Sequence, residues 1–343
     1  MRNELLADNR YESDSDIAVV EPPGVTLPLA PRPLPTLSPH ALGATLYMPA
    51  TRPDLTEIIR GHKHPGLRSL VICLEDAIGE AEIGVALRNL EHCLQAIDQA
   101  GGRPDGSPLI FVRPRSCGMA ALLAQWPLFQ HVDGLVAPKL TLASLGHWQR
   151  AVEGTRLLLM PTLETREVFD PGAMVALRDA MLATLRERIL ALRIGGNDLM
   201  ACLGLRRMPG LTAYQSPMGY VIAMLCGVMG SSGFALTAPV FEQLHAPGLL
   251  QQELELDIAH GLVGKTAIHP AQVPVIHAAL QVSSADYDSA QAILCQSAPA
   301  VFQFNGAMCE PATHAQWARQ IVQRAHWYGI RQPEPALALA RTA

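Results

Sequence analysis

The chain has 343 residues, 49% of them hydrophobic and 17% charged, with a formal net charge of -5. That composition can bury a large core, which excludes wholesale disorder, and the absence of any basic run removes the electrostatic footprint that nucleic-acid binding needs. Seven scattered cysteines without a C-x-x-C pair exclude a thiolate zinc cage and fit reduced thiols in a cytoplasm better than a disulfide framework.

Arg2, Glu4, Asp8 and Arg10 open the chain without an apolar h-region, so no signal peptide is expected. Residues 1–40 carry seven prolines from Pro22 to Pro39 and read as an extended arm, either a free tail or a clasp on a second copy. Short apolar runs then alternate with stretches of helical period. The runs lie at 44–48, 69–74, 109–113, 134–138, 157–162, 192–195, 234–237 and 265–268; the helical stretches lie at 54–60, 81–100, 119–129, 142–152, 171–188, 217–229 and 249–260. Apolar strands separated by helices imply a parallel sheet covered by helices. Eight such units favour a closed α/β barrel, the (β/α)8 TIM barrel, over an open doubly wound sheet, and no G-x-G-x-x-G follows the first run. The uncharged stretch 208–241 is long enough to suggest a membrane span, but Pro217, Gly219, Ser231-Ser232-Gly233 and Pro239 interrupt it. It reads as a buried helix, a turn and a buried strand, with no membrane association.

Helical pattern resumes at 273–280, 284–297 and 314–327. The expected organisation is therefore an arm over 1–40, a barrel over 41–283 and a C-terminal helical extension over 284–343. The last helix sets Ala318, Ile321, Val322 and Ala325 on one face. A barrel complete at His269 does not need that face for closure, so it is expected to pack on the barrel mouth of its own or a neighbouring subunit in a homo-oligomer.

Functional side chains of a parallel barrel gather at the C-terminal ends of its strands. Those ends read Glu75-Asp76, Arg113, Pro138-Lys139, Glu164, Gly195-Gly196-Asn197-Asp198 and His269. Glu164 and Asp198, on adjacent strands, suit one Mg²⁺, which commonly takes one or two carboxylates and fills its other positions with oxygen from water or substrate; Mn²⁺ should substitute. The alternative is that both cap the helices that follow. Arg113 offers a planar fork to a carboxylate. Gly195 and Gly196 allow substrate close to the backbone, and Pro138 and Lys139 join them as expected substrate contacts. Strand alternation sends Glu75 and Asp76 to opposite sides; one could bind a metal-bound water or pair with Arg88 or Arg113. His269 is read as orienting the turn into the next helix rather than as a base.

Taken in order, these motifs resemble the citrate lyase β-subunit and HpcH/HpaI aldolase superfamily, from about Gly43 to the C-terminal extension. The resemblance is carried by Leu74-Glu75-Asp76-Ala77 followed by Arg88, Val112-Arg113, Ala137-Pro138-Lys139, Leu163-Glu164-Thr165, Gly195-Gly196-Asn197-Asp198-Leu199 and Gly264-Lys265-Thr266-Ala267-Ile268-His269-Pro270-Ala271-Gln272. Asn305-Gly306-Ala307-Met308 with Pro311 is similar to the family's closing segment. The resemblance implies Mg²⁺ on Glu164 and Asp198, Arg113 on a carboxylate or carbonyl oxygen, and Asp76 nearby. It further implies cleavage of citryl-, malyl- or related CoA thioesters, or of aldol adducts of pyruvate. The chain departs from the pattern at Gly43-Ala44-Thr45-Leu46-Tyr47-Met48-Pro49-Ala50, where Arg-Ser and Val-Pro-Gly are usual, in the long segment from Glu164 to Asp198, and in lacking an acid near Thr237-Ala238-Pro239-Val240. These departures resemble a divergent, stand-alone citrate-lyase-like branch.

The expected enzyme is thus an oxo-acid lyase acting on a small carboxylate or its CoA thioester through a metal-stabilised enolate. Asp76, Glu75 and a metal-bound hydroxide are all candidates for the base. A thioesterase on a malyl-type thioester and a non-catalytic carboxylate-binding subunit are the alternatives. Glu164, Asp198 and Arg113 together argue against the subunit.

Overall fold

The computed structural model describes residues 37–331. The proline-rich arm, up to residue 36, and the tail from residue 332 lie outside the described residues. Eight strands alternate with helices: β1 (Gly43–Pro49), β2 (Ser69–Cys73), β3 (Leu109–Arg113), β4 (Gly134–Ala137), β5 (Leu158–Leu163), β6 (Leu192–Ile194), β7 (Leu236–Thr237) and β8 (Gly264–Ala267). Every pairing among them is parallel, in the order β7-β6-β5-β4-β3-β2-β1-β8. A parallel bridge between Ala238 and Lys265 joins the two ends of that order and closes the barrel. Each apolar run read from the sequence overlaps one of these strands.

Alternation along the strands separates two cores. Leu46, Leu70, Ile72, Val112, Leu135, Leu159, Leu192 and Leu236 face outward into the layer between sheet and helices. Val71, Phe111, Val136, Leu158, Met160 and Ala191 face inward and form an apolar plug. Higher on the same inward rows the side chains turn polar: Thr45 and Tyr47 on β1, Arg113 on β3, Thr162 and then Glu164 on β5, Arg193 on β6, Thr266 on β8.

The outer helices are α1 (Leu55–Ile59), α2 (Ile83–Gln99), α3 (Cys117–Ala124), α4 (Leu145–Val152), α5 (Pro171–Thr184), α6 (Gly196–Cys202), α7 (Pro217–Leu225) and α8 (Pro247–Ala259). The uncharged stretch 208–241 is indeed helix α7, a turn and strand β7, and no helix among the described residues is long and apolar enough to cross a membrane. Helix α6 was not expected. It has seven residues and begins on a glycine, too little for a helical period to show.

After β8 come α9 (Gln272–Ala279), β9 (Val282–Ser283), α10 (Ser284–Leu294), a hairpin of β10 (Phe302–Phe304) and β11 (Ala307–Cys309), α11 (Pro311–Tyr328) and β12 (Ile330–Arg331). The hairpin turns on Asn305-Gly306, both at positive φ (49° and 79°), the signature of a tight two-residue turn. The expectation that α11 covers its own barrel mouth is corrected. Its apolar face, Ala318, Ile321 and Ala325, packs with Val282, Ala290 and Ile293 around α10. Its last turn docks at the opposite end of the barrel, where strands begin. There the Tyr328 hydroxyl donates to the His40 carbonyl, and Arg68 donates to the Trp327 carbonyl at 2.5 Å while lying over the Trp327 and Tyr328 rings. A partner within the chain satisfies this face, so it supplies no argument for a second copy.

One buried ionic network ties the outer layer to the sheet. Lys265 faces outward from β8 and is 1% exposed; its ammonium donates to Glu253 (2.9 Å) and Asp257 (2.8 Å) on α8. Glu253 also accepts from Arg207 and from the Ala213 N–H, which pins the segment after α6. Removing one partner of a buried pair strands the other charge. Lys265→Met should therefore lower unfolding free energy by about 3–5 kcal/mol in urea titrations; a loss below about 1 kcal/mol would show that the network is energetically neutral.

Candidate active site

The polar ends of the inward rows enclose a cavity of about 430 Å³ at the mouth of the barrel, lined among others by Tyr47, Asp76, Arg113, Thr162, Glu164, Arg193, Gly195, Gly196 and Asp198. Four carboxylates (Glu75, Asp76, Glu164, Asp198) and three cations (Arg113, Lys139, Arg193) lie in or directly behind its wall.

Arg113 ends β3. Its Nε and Nη2 each lie 3.2 Å from the Cys73 Sγ, and Nη1 lies 3.1 Å from Glu75 Oε2. The guanidinium sits over the Tyr47 ring, 5.4 Å from its centroid, a cation–π distance. Lys139 follows β4 at a positive φ of 49°, a strained setting for a side chain with a Cβ. That backbone lets it act twice: its N–H donates to Glu164 Oε1 at 2.8 Å, and its ammonium reaches Glu75 (2.5 Å), Asp76 (3.3 Å) and Asp198 (3.6 Å). Burial works against the Lys139 charge, but Glu75, Asp198 and Asp76 outweigh it and hold the ammonium protonated.

Glu164 is 3% exposed, and its carboxyl is pushed up to about 7, first by burial and then by the charge of Asp198. The Lys139 N–H, Arg113 and Lys139 pull the other way. Asp198 sits in the first turn of α6, whose N-cap is Gly195, and makes no side-chain cap there. The capping alternative fails for Glu164 too: Thr165, not Glu164, stands at the N-cap position of the following turn, and the Glu164 carboxylate accepts the Lys139 N–H. Gly195 is a spatial necessity, because an added Cβ would collide with the Glu164 Cβ and Oε2.

The family whose description reads "C-C bond lyase of the TIM-barrel fold" matches residues 36–330. The chain belongs to this family of TIM-barrel carbon–carbon bond lyases. It is 29% identical over 308 residues to a citrate lyase subunit beta-like protein of Deinococcus radiodurans, covering 89% of this chain and 96% of that one. It is 26% identical over 254 residues to a (3S)-malyl-CoA thioesterase of Cereibacter sphaeroides, covering 73% and 81%. Among solved structures, CitE of Mycobacterium tuberculosis in complex with magnesium, acetoacetate and coenzyme A superposes with a TM-score of 0.59 at 21% identity, over 84% of this chain and 99% of that one. RipC of Yersinia pestis gives 0.54 at 21% identity, over 73% and 99%.

For this member of the family, the residues singled out in the sequence divide. Asp76, Arg113, Glu164, Gly195, Gly196 and Asp198 line one cavity; Glu75, Pro138 and Lys139 do not line it, though Glu75 touches Arg113 and Lys139 touches Asp76 and Asp198. The expected split of Glu75 and Asp76 to opposite sides is corrected. β2 ends at Cys73 and the chain bends, so strand alternation no longer applies, and both carboxylates reach the Lys139 ammonium. Of the two arginines considered for Glu75, Arg113 makes the pair. His269 accepts the Ala271 N–H on Nδ1, so it orients the turn as expected. Tyr47, Thr162 and Arg193 were missed inside apolar strands. Only strict in–out alternation, which puts them on the inward face, could have flagged them.

The tight fit of Gly195 gives a direct test. Gly195→Ala should cost about 1–3 kcal/mol of stability through overpacking against Glu164. Gly248→Ala, in α8 with open space around it, should be neutral or slightly stabilising. Equal unfolding midpoints for the two variants would contradict the packing.

Proposed function

We propose that the chain is an oxo-acid-type carbon–carbon lyase that works with Mg²⁺ on a small carboxylate or its CoA thioester. One observation carries the reading. Glu164 and Asp198 line one mouth, closely enough for the charge of Asp198 to raise the Glu164 carboxyl, and among the described residues no cation is in ion-pair contact with Glu164. Among the described residues no cluster of three or more His, Cys, Asp or Glu side chains could hold a metal, so a soft or multi-ligand site does not compete. Two hard oxygen donors beside an open cavity suit Mg²⁺ or Mn²⁺, whose remaining positions go to water and substrate. Glu164 and Asp198 would hold the ion, which when bound would supply Lewis-acid stabilisation of negative charge developing on a substrate carbonyl. The magnesium-containing CitE structure and the citrate lyase beta-like relative support this assignment.

The chain's own residues then divide the work. Arg113 is oriented in advance by Cys73 and Glu75, and its terminal nitrogens keep second N–H groups for a carboxylate or carbonyl oxygen. Glu75, enclosed by Arg113 and Lys139, positions those cations. Asp76 is about half exposed on the cavity wall; burial would raise its carboxyl, but Arg113 and Lys139 hold it below the ordinary value. It is therefore ionised; its lowered basicity makes it a weak acceptor, but it is an open carboxylate of the wall placed to take the proton of a substrate hydroxyl. As that proton leaves, the C–O bond gains double-bond character and the adjacent C–C bond breaks. The electron pair passes to the fragment whose carbonyl faces Arg113. The thioesterase likeness supports a second reading on the same residues, hydrolysis of a malyl-type thioester.

Two outcomes follow. A Glu164 carboxyl near 7 is protonated in acid and must lose its proton to bind a cation. Mn²⁺ affinity, read by electron paramagnetic resonance, should rise as pH climbs from about 6 to about 8. In Glu164→Gln both the affinity and this pH dependence should be lost; pH-independent binding in the wild type would contradict the assignment. Arg113→Lys keeps charge but loses the fork, and should bind substrate about thirty-fold more weakly, near 2 kcal/mol. Unchanged affinity and turnover in the Lys variant would rule out two-point recognition.

A further inference from the structure

Two of the three cations of the mouth are neutralised by neighbours. Arg113 pairs with Glu75, and Lys139 with Glu75, Asp76 and Asp198. Arg193 is different. It is 2% exposed, and it lines the cavity. Among the described residues its guanidinium reaches neutral groups: Thr266 Oγ1 at 2.6 Å, Thr45 Oγ1 at 3.4 Å, Met160 Sδ at 3.8 Å and the Tyr47 hydroxyl. Among the described residues no carboxylate is in ion-pair contact with it. Beside it, Thr162 is its register partner on β5, so both point inward. The Thr162 Oγ1 is buried, lines the same cavity and has no hydrogen-bond partner among the described residues.

An unpaired cation and an unpaired hydroxyl in one buried place are each costly. A packing role does not account for them, because an apolar side chain would fill the layer above the Phe111–Met160 plug without either cost. Tyr47 holds the cation in place from above, its ring centroid 5.1 Å from the Arg193 guanidinium carbon. Burial depresses the basicity of Arg193 and the Arg113 charge adds to that, beyond what the Tyr47 hydroxyl and Glu164 restore. A bound anion would reverse that balance.

We infer that Arg193, with the Thr162 hydroxyl, forms an anion subsite at the floor of the cavity that takes a free carboxylate of the substrate. The inference rests on the lyase reading above and deepens it. The substrate enters acid end first, and any thioester end points outward through the mouth. Arg113 is thereby left to the carbonyl oxygen at the reacting centre, and the substrate class narrows to acids with one free carboxylate next to or near the bond that breaks. Arg193 is a specificity residue here, distinct from the metal-holding pair.

Calorimetry with pyruvate, the simplest 2-oxo acid, tests this at saturating Mg²⁺, with uncharged methyl pyruvate as control. Wild type should prefer pyruvate. Arg193→Met should lose about thirty-fold in pyruvate affinity, bind methyl pyruvate as wild type does, bind Mn²⁺ no more weakly, and melt no lower, since an uncompensated charge has been removed. Thr162→Val, isosteric and safe for folding, should lose pyruvate affinity several-fold. If wild type binds no pyruvate, or if both variants bind it as wild type does, the subsite is refuted. Binding is read without turnover, so a protein that binds pyruvate in this way but cleaves no carbon–carbon bond refutes the lyase reading and leaves the subsite standing.

Discussion

Closing eight parallel strands into a barrel gathers upper inward side chains into one small mouth, with Glu164 and Arg193 buried at its base and Asp76, Lys139 and Asp198 partly open to water. Their charges must then be balanced against each other or against a ligand. The rest of the site follows from this constraint. Glu75 is held between Arg113 and Lys139. Lys139 adopts a left-handed backbone that brings both its N–H and its ammonium to bear on carboxylates. What the local pairs leave over is the Glu164 carboxyl, beside an Asp198 held, among the described residues, only by the outlying contact to Lys139 (3.6 Å), and a cation at Arg193, which on the proposed reading would meet a divalent ion and a substrate carboxylate.

The barrel itself was legible because its strands are continuous apolar runs, a pattern that buried parallel strands must show. The ends of those runs were legible for the opposite reason: charge is sparse in this chain, so Glu164, Arg113 and Asp198 stand out where apolar character stops. Arg193 was not legible in the same way. It sits between Leu192 and Ile194 and reads as an impurity in an apolar strand until the inward row Thr162–Arg193 is seen across β5 and β6. Lys265 hides likewise in the Gly264–Ala267 strand, facing outward to α8. The bend after β2 and the docking of α11 on the strand-start end of the barrel depend on tertiary partners, Lys139 in the one case and Arg68 with His40 in the other. No local period encodes those.

Two layers of support surround the mouth. Beneath it, the Val71–Phe111–Met160 plug excludes water and raises the strength of every charge interaction above. Behind it, Lys265, Glu253 and Arg207 fix the segment that follows α6, and with it the helix carrying Asp198. Membership in the TIM-barrel carbon–carbon bond lyases agrees with this arrangement. The fold alone does not choose a reaction; the lyase reading we propose rests on the charge pattern of the mouth, in which Glu164 and Asp198 would hold a divalent ion and Arg113 would face a carbonyl.

The central claim is that this mouth breaks a carbon–carbon bond. It is tested most directly by incubating the protein and Mg²⁺ with uniformly ¹³C-labelled 3-hydroxy acids and their CoA thioesters and reading the products by mass spectrometry. The account predicts two labelled fragments whose carbons together make up the substrate, formed only with a divalent ion present. Release of CoA with the labelled carbon skeleton intact would contradict it.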